Sequence, residues 1–157
     1  MKINPKLDLV LNKVLDITPE EVWKAWTTAE WFGEWFCPKP WKVVEARIDP
    51  RPGGEFFTVM QSPEGDKFPN TGCILEVIPG KKFVWTNALL ANYRPAGVND
   101  FDFTGIVLFE PQGNQTKYTA IGMHANEADC KKHAEMGFEQ GWGVVADQLE
   151  AMMKIKR

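Results

Sequence analysis

Acid–base, nucleophilic or metal chemistry in this chain would have to come from two histidines, three cysteines and a scatter of carboxylates. His124 closes a run of alternating residues and His133 follows in a helical pattern. Their spacing matches no common zinc arrangement, and Cys37, Cys73 and Cys130 are too dispersed to complete one. No metal and no cofactor are expected. Glu55 and Glu76 alternate with apolar neighbours, so on an outer sheet face each carboxylate is simply solvated. Turned inward, Glu76 could serve as a general acid or base. No Ser-His-Asp arrangement, phosphate-cradling loop or nucleophile elbow is present, and Gly53-Gly54 sits between two strands as turn chemistry. The catalytic set is therefore empty, and His124 is the better of the two histidines for contacting a ligand.

The unusual residues are aromatic. Seven Trp and ten Phe stand against two Tyr, a set of large rings with few polar tips. Such rings suit a wide core or a ring-lined cavity. Trp23, Trp26, Phe32 and Trp35 exceed what is needed to fix two short helices to a sheet, and Trp31 and Phe36 are placed at the mouth of a pocket.

The elements that position these rings are legible in the periodicity. Leu7 to Asp16 reads as a first strand. Thr18-Pro19-Glu20-Glu21 is a helix start, with Thr18 as cap, Pro19 in the first position and Glu21 closing a capping box. A second short helix carries Trp31/Trp35 and Phe32/Phe36 at i, i+4 spacing, and Pro38 and Pro40 end it. Strands follow over 41–49, 55–61, 71–78 and 82–87. Arg51-Pro52-Gly53-Gly54 suits a type II turn. Residues 88–100 read as a long loop, and 101–110 with 116–124 as a hairpin. One long helix is expected from Asn126 to Lys154, with Phe138, Trp142, Val145, Leu149 and Met152 as its apolar stripe.

Cys130, Ala134, Gly137 and Gly141 make a second stripe, of small residues, on that helix. Glycine inside a helix costs about 1 kcal/mol relative to Ala. Either the helix approaches the sheet closely there, or it leaves volume for a ligand.

The whole reads as one α+β domain over residues 1–157, in the order strand, two short helices, six strands, long helix. The composition, 44% hydrophobic and 25% charged, is ordinary for a globular protein. A net charge of -3 gives no bulk attraction for nucleic acid or an anionic membrane. No stretch reads as a leader or a membrane span, and three unpaired cysteines fit reduced thiols in a cytoplasmic protein.

Several strings resemble the START-like, helix-grip (SRPBCC) superfamily, in the branch named after the activator of heat shock protein 90 ATPase. They are Thr18-Pro19-x-x-Val22-Trp23-x-x-Trp26, Asp49-x-Arg51-Pro52-Gly53-Gly54-x-Phe56-x-x-x-Met60, Pro63-x-Gly65, Gly72-x-x-x-Glu76-x-x-Pro79 and Met136-Gly137-Phe138-x-x-Gly141-Trp142. The resemblance implies a curved antiparallel sheet of six or seven strands around a long C-terminal helix. It also implies a pocket between them for a small hydrophobic or amphipathic molecule. Candidate ligand-binding residues are Trp26, Trp31, Trp35, Phe36, Phe56, Met60, Trp85, Asn87, Met123, His124, Gly137, Phe138, Gly141 and Trp142. Thr58 or Thr86 could replace a neighbour if the strand parity differs. Asn87 and His124 would supply the polar contacts that orient a ligand. A cyclase- or hydrolase-type enzyme using His124 or Glu76 is one alternative. A chaperone-interacting module is another, although the eukaryotic activators carry a further N-terminal domain that is not seen here. A monomer or homodimer fits either reading.

Overall fold

The structure, a computed structural model, describes residues 1–157. Strand β1 (Asp8–Leu15) leads into helix α1 (Pro19–Thr27), whose start is the expected capping box. Glu21 N–H donates to Thr18 Oγ1 at 3.2 Å, and Thr18 N–H donates to Glu21 Oε1 at 2.9 Å. A 3₁₀ turn and the short helix α2 (Phe32–Trp35) follow. The chain then runs through β2 (Lys42–Ile48), β3 (Glu55–Gln61), β4 (Lys67–Ile78) and β5 (Lys82–Thr86). Between β2 and β3 Gly53 takes φ +82°, and Gly54 N–H donates to Arg51 O at 2.8 Å, as a type II turn requires.

Residues 88–100 are not a plain loop. They include a two-stranded ribbon, β6 (Leu89–Leu90) and β7 (Arg94–Pro95), around a turn in which Asn92 and Tyr93 take left-handed φ of +63° and +65°. Pairs this short leave too few alternating positions for a periodicity to register. The ribbon is pinned at its root by Asn87, whose side chain donates to Phe101 O at 3.0 Å and accepts from Phe103 N–H at 2.8 Å. Strands β8 (Phe103–Gln112) and β9 (Gln115–His124) complete a seven-stranded sheet in the order β1-β9-β8-β5-β4-β3-β2, with every neighbouring pair antiparallel. Strand β4 begins at Lys67 rather than near Thr71, because Lys67, Phe68, Pro69 and Asn70 all pair with β3.

The expected single C-terminal helix is two helices. Helix α3 (Glu127–Glu135) is capped by Asn126, whose side-chain oxygen accepts from Asp129 N–H at 2.8 Å. It stops at Gly137, which has φ +92° and donates to Ala134 O at 3.0 Å. Helix α4 (Phe138–Lys156) restarts from there. A left-handed residue just past a helix favours glycine, and Lys131, Lys132 and His133 in the preceding turn complete a C-terminal signature. The stripe of small residues is thus broken. Gly137 is a joint, and the helix-interior cost of glycine does not apply to it.

Helix α4 lies across the inner face of the sheet. Phe138, Ala146, Leu149, Met152 and Met153 are buried, and a Cβ on Gly143 would meet Leu11 of β1 at 3.9 Å. At the other end α1 and α2 bury Val22, Ala25, Trp26, Phe32 and Trp35. The Gln148 amide on α4 donates to the carbonyls of Trp35 (3.0 Å) and Cys37 (2.7 Å), at and just past the C-terminal end of α2, where helix carbonyls lack intrahelical partners. This is the α+β helix-grip fold: a sheet closed around its last helix.

Candidate functional site

Alternation along the strands decides which side chains face α4. On β3, Phe56, Thr58 and Met60 share the inner face; on β9, Tyr118, Ala120, Gly122 and His124 share it. Opposite Gly122 stands Gly105 of β8, and opposite Phe56 stands Gly72 of β4. Gly72 lets the Thr86 carbonyl of β5 approach (2.8 Å from a Cβ there), and the other two make room for rings. A Cβ on Gly105 would lie 2.5 Å from the Trp85 indole, and one on Gly122 would lie 3.1 Å from Phe138. Trp85 accordingly stacks on Phe56 (5.3 Å, 8°) and on Trp142 of α4 (5.9 Å, 15°). The three rings line the inner face as a ladder.

Above this ladder, between sheet and α4, lies a cavity of about 410 Å³. That is within the range of small-molecule sites. Buried Trp26, Phe56, Thr58, Trp85, Tyr118, His133 and Phe138 form its depth, and Phe36, Met60 and Trp142 its flanks. Exposed Pro38, Pro69, Asn70, Asn99 and Met136 stand at its rim. No Lys, Arg, Asp or Glu lines it. A Cβ on Gly137 or Gly141 would meet nothing within 4 Å, so at these two positions the chain borders open volume.

Ten of the fourteen candidates read from the sequence are brought together here: Trp26, Phe36, Phe56, Met60, Trp85, Asn87, Gly137, Phe138, Gly141 and Trp142. Four are not. Trp35 is fully buried behind Trp26 (5.2 Å between rings), because the four-residue α2 turns it into the core. Trp31 lies outside, with the Lys156 ammonium 4.9 Å above its ring. Met123 faces away from α4, where it packs with Val84, Ile106 and Ile121 on the outer side of the sheet. His124 does face inward but stands behind His133.

Asn87 borders the cavity with its amide already engaged by the backbone. Thr58 joins Phe56 and Met60 in the lining rather than replacing either, and Thr86 does not line it. Glu76 is on the outside, paired to Lys82 at 2.8 Å, and Glu55 is held by Arg47 at 2.9 Å.

Tyr118 is not among the candidates read from the sequence, and of the two histidines it is His133, not the preferred His124, that lines the cavity. The signal for Tyr118 is its two-residue step from Ala120, Gly122 and His124; for His133 it is the helix break at Gly137 that brings the ring to the cavity. The Tyr118 hydroxyl is desolvated, which raises its pKa well above the ordinary range, and the Trp26 indole N–H beside it lacks hydrogen-bond geometry to any acceptor. His124 Nδ1 is 2.7 Å from Leu7 O, and His124 Nε2 is 2.8 Å from His133 Nδ1. Burial, and secondarily the neighbouring His124, lower the pKa of His133 to about 4. The two imidazoles are the only histidines, and no cluster of three or more His, Cys, Asp or Glu side chains could hold a metal ion.

The family model for Activator of Hsp90 ATPase homolog 1-like protein matches residues 16–154. The chain belongs to this family. Among solved structures, a protein from Nitrosomonas europaea shares 45% identity over 100% of both chains, with a TM-score of 0.94. The AHSA1 protein of Silicibacter pomeroyi has 20% identity and a TM-score of 0.70, covering 96% of this chain and 99% of its own. An AHSA1-like protein of Aeromonas hydrophila has 18% identity and a TM-score of 0.71, over 93% and 94%. Likeness at these lower identities shows a shared fold. None of the functionally curated proteins matches the chain. No helix of this family member is long and apolar enough to cross a membrane.

Proposed function

We propose that this protein binds a small hydrophobic or amphipathic molecule between the sheet and α4, without transforming it. One observation carries the reading: a cavity of about 410 Å³, walled by aromatic rings, free of charged side chains and bordered by two glycines facing open volume. A core whose rings served packing alone would close such a volume, since unfilled space in an interior is destabilising. Its buried polar groups, Thr58, Tyr118 and His133, suit orientation of a ligand more than reaction with it. Native mass spectrometry of freshly purified protein should show co-purifying small apolar molecules, and a neutral naphthalene probe should quench tryptophan fluorescence saturably. Absence of both effects across a broad panel would remove the reading.

The family name supplies a second reading, an interaction with a chaperone. Trp41 and Phe68 support it, as a ring pair 5.6 Å apart, each more than a third exposed, beside the edge strand β2. Stimulation of Hsp90 ATPase by this protein, lost in Trp41→Ser, would favour it.

A further inference from the structure

Two buried imidazoles in contact, one of them in the wall of a cavity that holds no charged side chain, call for an account. His124 is 7% exposed and His133 8%. Phe101, Phe103, Phe138 and Trp142 surround His133, with ring centroids 5.0, 4.9, 5.1 and 6.2 Å away. In the neutral pair the hydrogen bonds fix where the protons are. A carbonyl only accepts, so at 2.7 Å from Leu7 O the proton of His124 is on Nδ1. A neutral His124 then has a bare Nε2, which accepts from His133 Nδ1–H at 2.8 Å. A neutral His133 with its proton on Nδ1 has a bare Nε2 in turn. That nitrogen has no protein partner and is not sealed off, and its ring is part of the cavity wall.

We infer that His133 Nε2 is the polar anchor of the cavity. It accepts a hydrogen bond from a neutral, ring-bearing ligand that carries a donor such as a phenol or alcohol hydroxyl, and the site disfavours carboxylates. His124 is a positioning residue that holds the His133 tautomer. The inference rests on the ligand-binding reading above and names the class of ligand. Three observations support the choice of class. The lining holds no cation that could neutralise an anionic head group. His133 stays uncharged at neutral pH, with its pKa lowered to about 4 by burial and by His124. The Phe56–Trp85–Trp142 ladder offers flat faces that favour a ring over a flexible chain.

Three probes of one ring system test it: 2-naphthol, which has a donor; 2-methoxynaphthalene, which lacks one; and 2-naphthoate, an anion. Calorimetric or fluorescence titration of the parent protein should rank 2-naphthol about tenfold tighter than 2-methoxynaphthalene, the scale of one well-made hydrogen bond. 2-Naphthoate should bind weakest. His133→Phe keeps a ring but removes the acceptor. It should retain 2-methoxynaphthalene affinity and lose the preference for 2-naphthol.

Nitrogen-15 NMR of the parent gives a measurement independent of that variant's folding. Both histidines should show Nδ1-protonated tautomers, and only 2-naphthol should shift the His133 Nε2 resonance in the direction of hydrogen-bond acceptance. Equal affinity for 2-naphthol and 2-methoxynaphthalene, tighter binding of 2-naphthoate, or an Nε2-protonated His133 would overturn the anchor and leave the ligand-binding reading standing. If none of the three probes binds while other apolar molecules do, the anchor falls and the ligand-binding reading stands.

Discussion

Replacing Gly141 by leucine separates a ligand cavity from a packing defect, because stability and binding should move in opposite directions. Gly141 lies in the first turns of α4, its N–H donates to Gly137 O at 2.7 Å, and a Cβ there would have no neighbour within 4 Å. Any ordinary side chain removes the conformational cost of a helical glycine, about 1 kcal/mol. The isobutyl group also gains contact with the cavity wall. Full burial of a leucine is worth about 1.5–3 kcal/mol, and a side chain facing a partly open cavity should recover a fraction of that. The variant should be more stable by about 1–2 kcal/mol, and its melting temperature should rise by about 2–6 °C for a chain of this size. The same atoms occupy the space a ligand would use, so affinity for 2-naphthol should fall at least tenfold, on the order of 1.4 kcal/mol. Calorimetric melting and a fluorescence titration on the same preparation read both quantities. A variant that melts several degrees lower would show that α4 rests on the sheet here, since overpacking costs about 1–3 kcal/mol. Unchanged affinity in a well-folded variant would place the ligand elsewhere.

Two further outcomes follow from the ring ladder and the paired imidazoles. Gly105→Ala should destabilise by about 1–3 kcal/mol, read as a lower urea midpoint, because its methyl would lie 2.5 Å from an indole held between Phe56 and Trp142; an unchanged midpoint would show that Trp85 is free to move. The fold holds His133 neutral down to about pH 4, whereas in the unfolded chain the ring takes a proton near its ordinary value of 6.5. Its contribution is therefore complete above about pH 6.5 and is lost as pH falls towards 4. A sealed ring would account for about 3 kcal/mol, and because water reaches the cavity side, about 1–2 kcal/mol is expected. His133→Phe should flatten the acid limb of stability between pH 6.5 and 4, and an unaltered limb would contradict the assignment.

Local sequence determined the elements here wherever the determinants are themselves local. The capping box at Thr18 and Glu21, the Pro52-Gly53 turn and the two-residue alternation of β3 and β9 each act within a few residues of their own positions. Together with the family strings they specified the helix-grip fold and ten residues of the cavity lining. The misplacements have local causes too. An unbroken helical period runs through Gly137 although the basic turn before it marks a helix end, and β6 and β7 are too short for any periodicity.

Tertiary structure decided what depends on distant parts of the chain. Sequence showed Gly105 and Gly122 only as isolated glycines in strands; across strands they are the gaps into which Trp85 and Phe138 fit. It set Trp31 and Phe36 at the pocket mouth and Trp35 in the lining, and only the docking of a four-residue helix sends Phe36 to the cavity, Trp35 to the core and Trp31 outward under Lys156. The pairing of His124 with His133 is of the same kind. One comes from the end of β9 and the other from α3, and the break at Gly137 turns α4 away so that the second ring borders the cavity. Side-chain chemistry is written residue by residue, but a proton's position in a hydrogen-bonded pair is fixed only when folding brings both partners and the Leu7 carbonyl within reach.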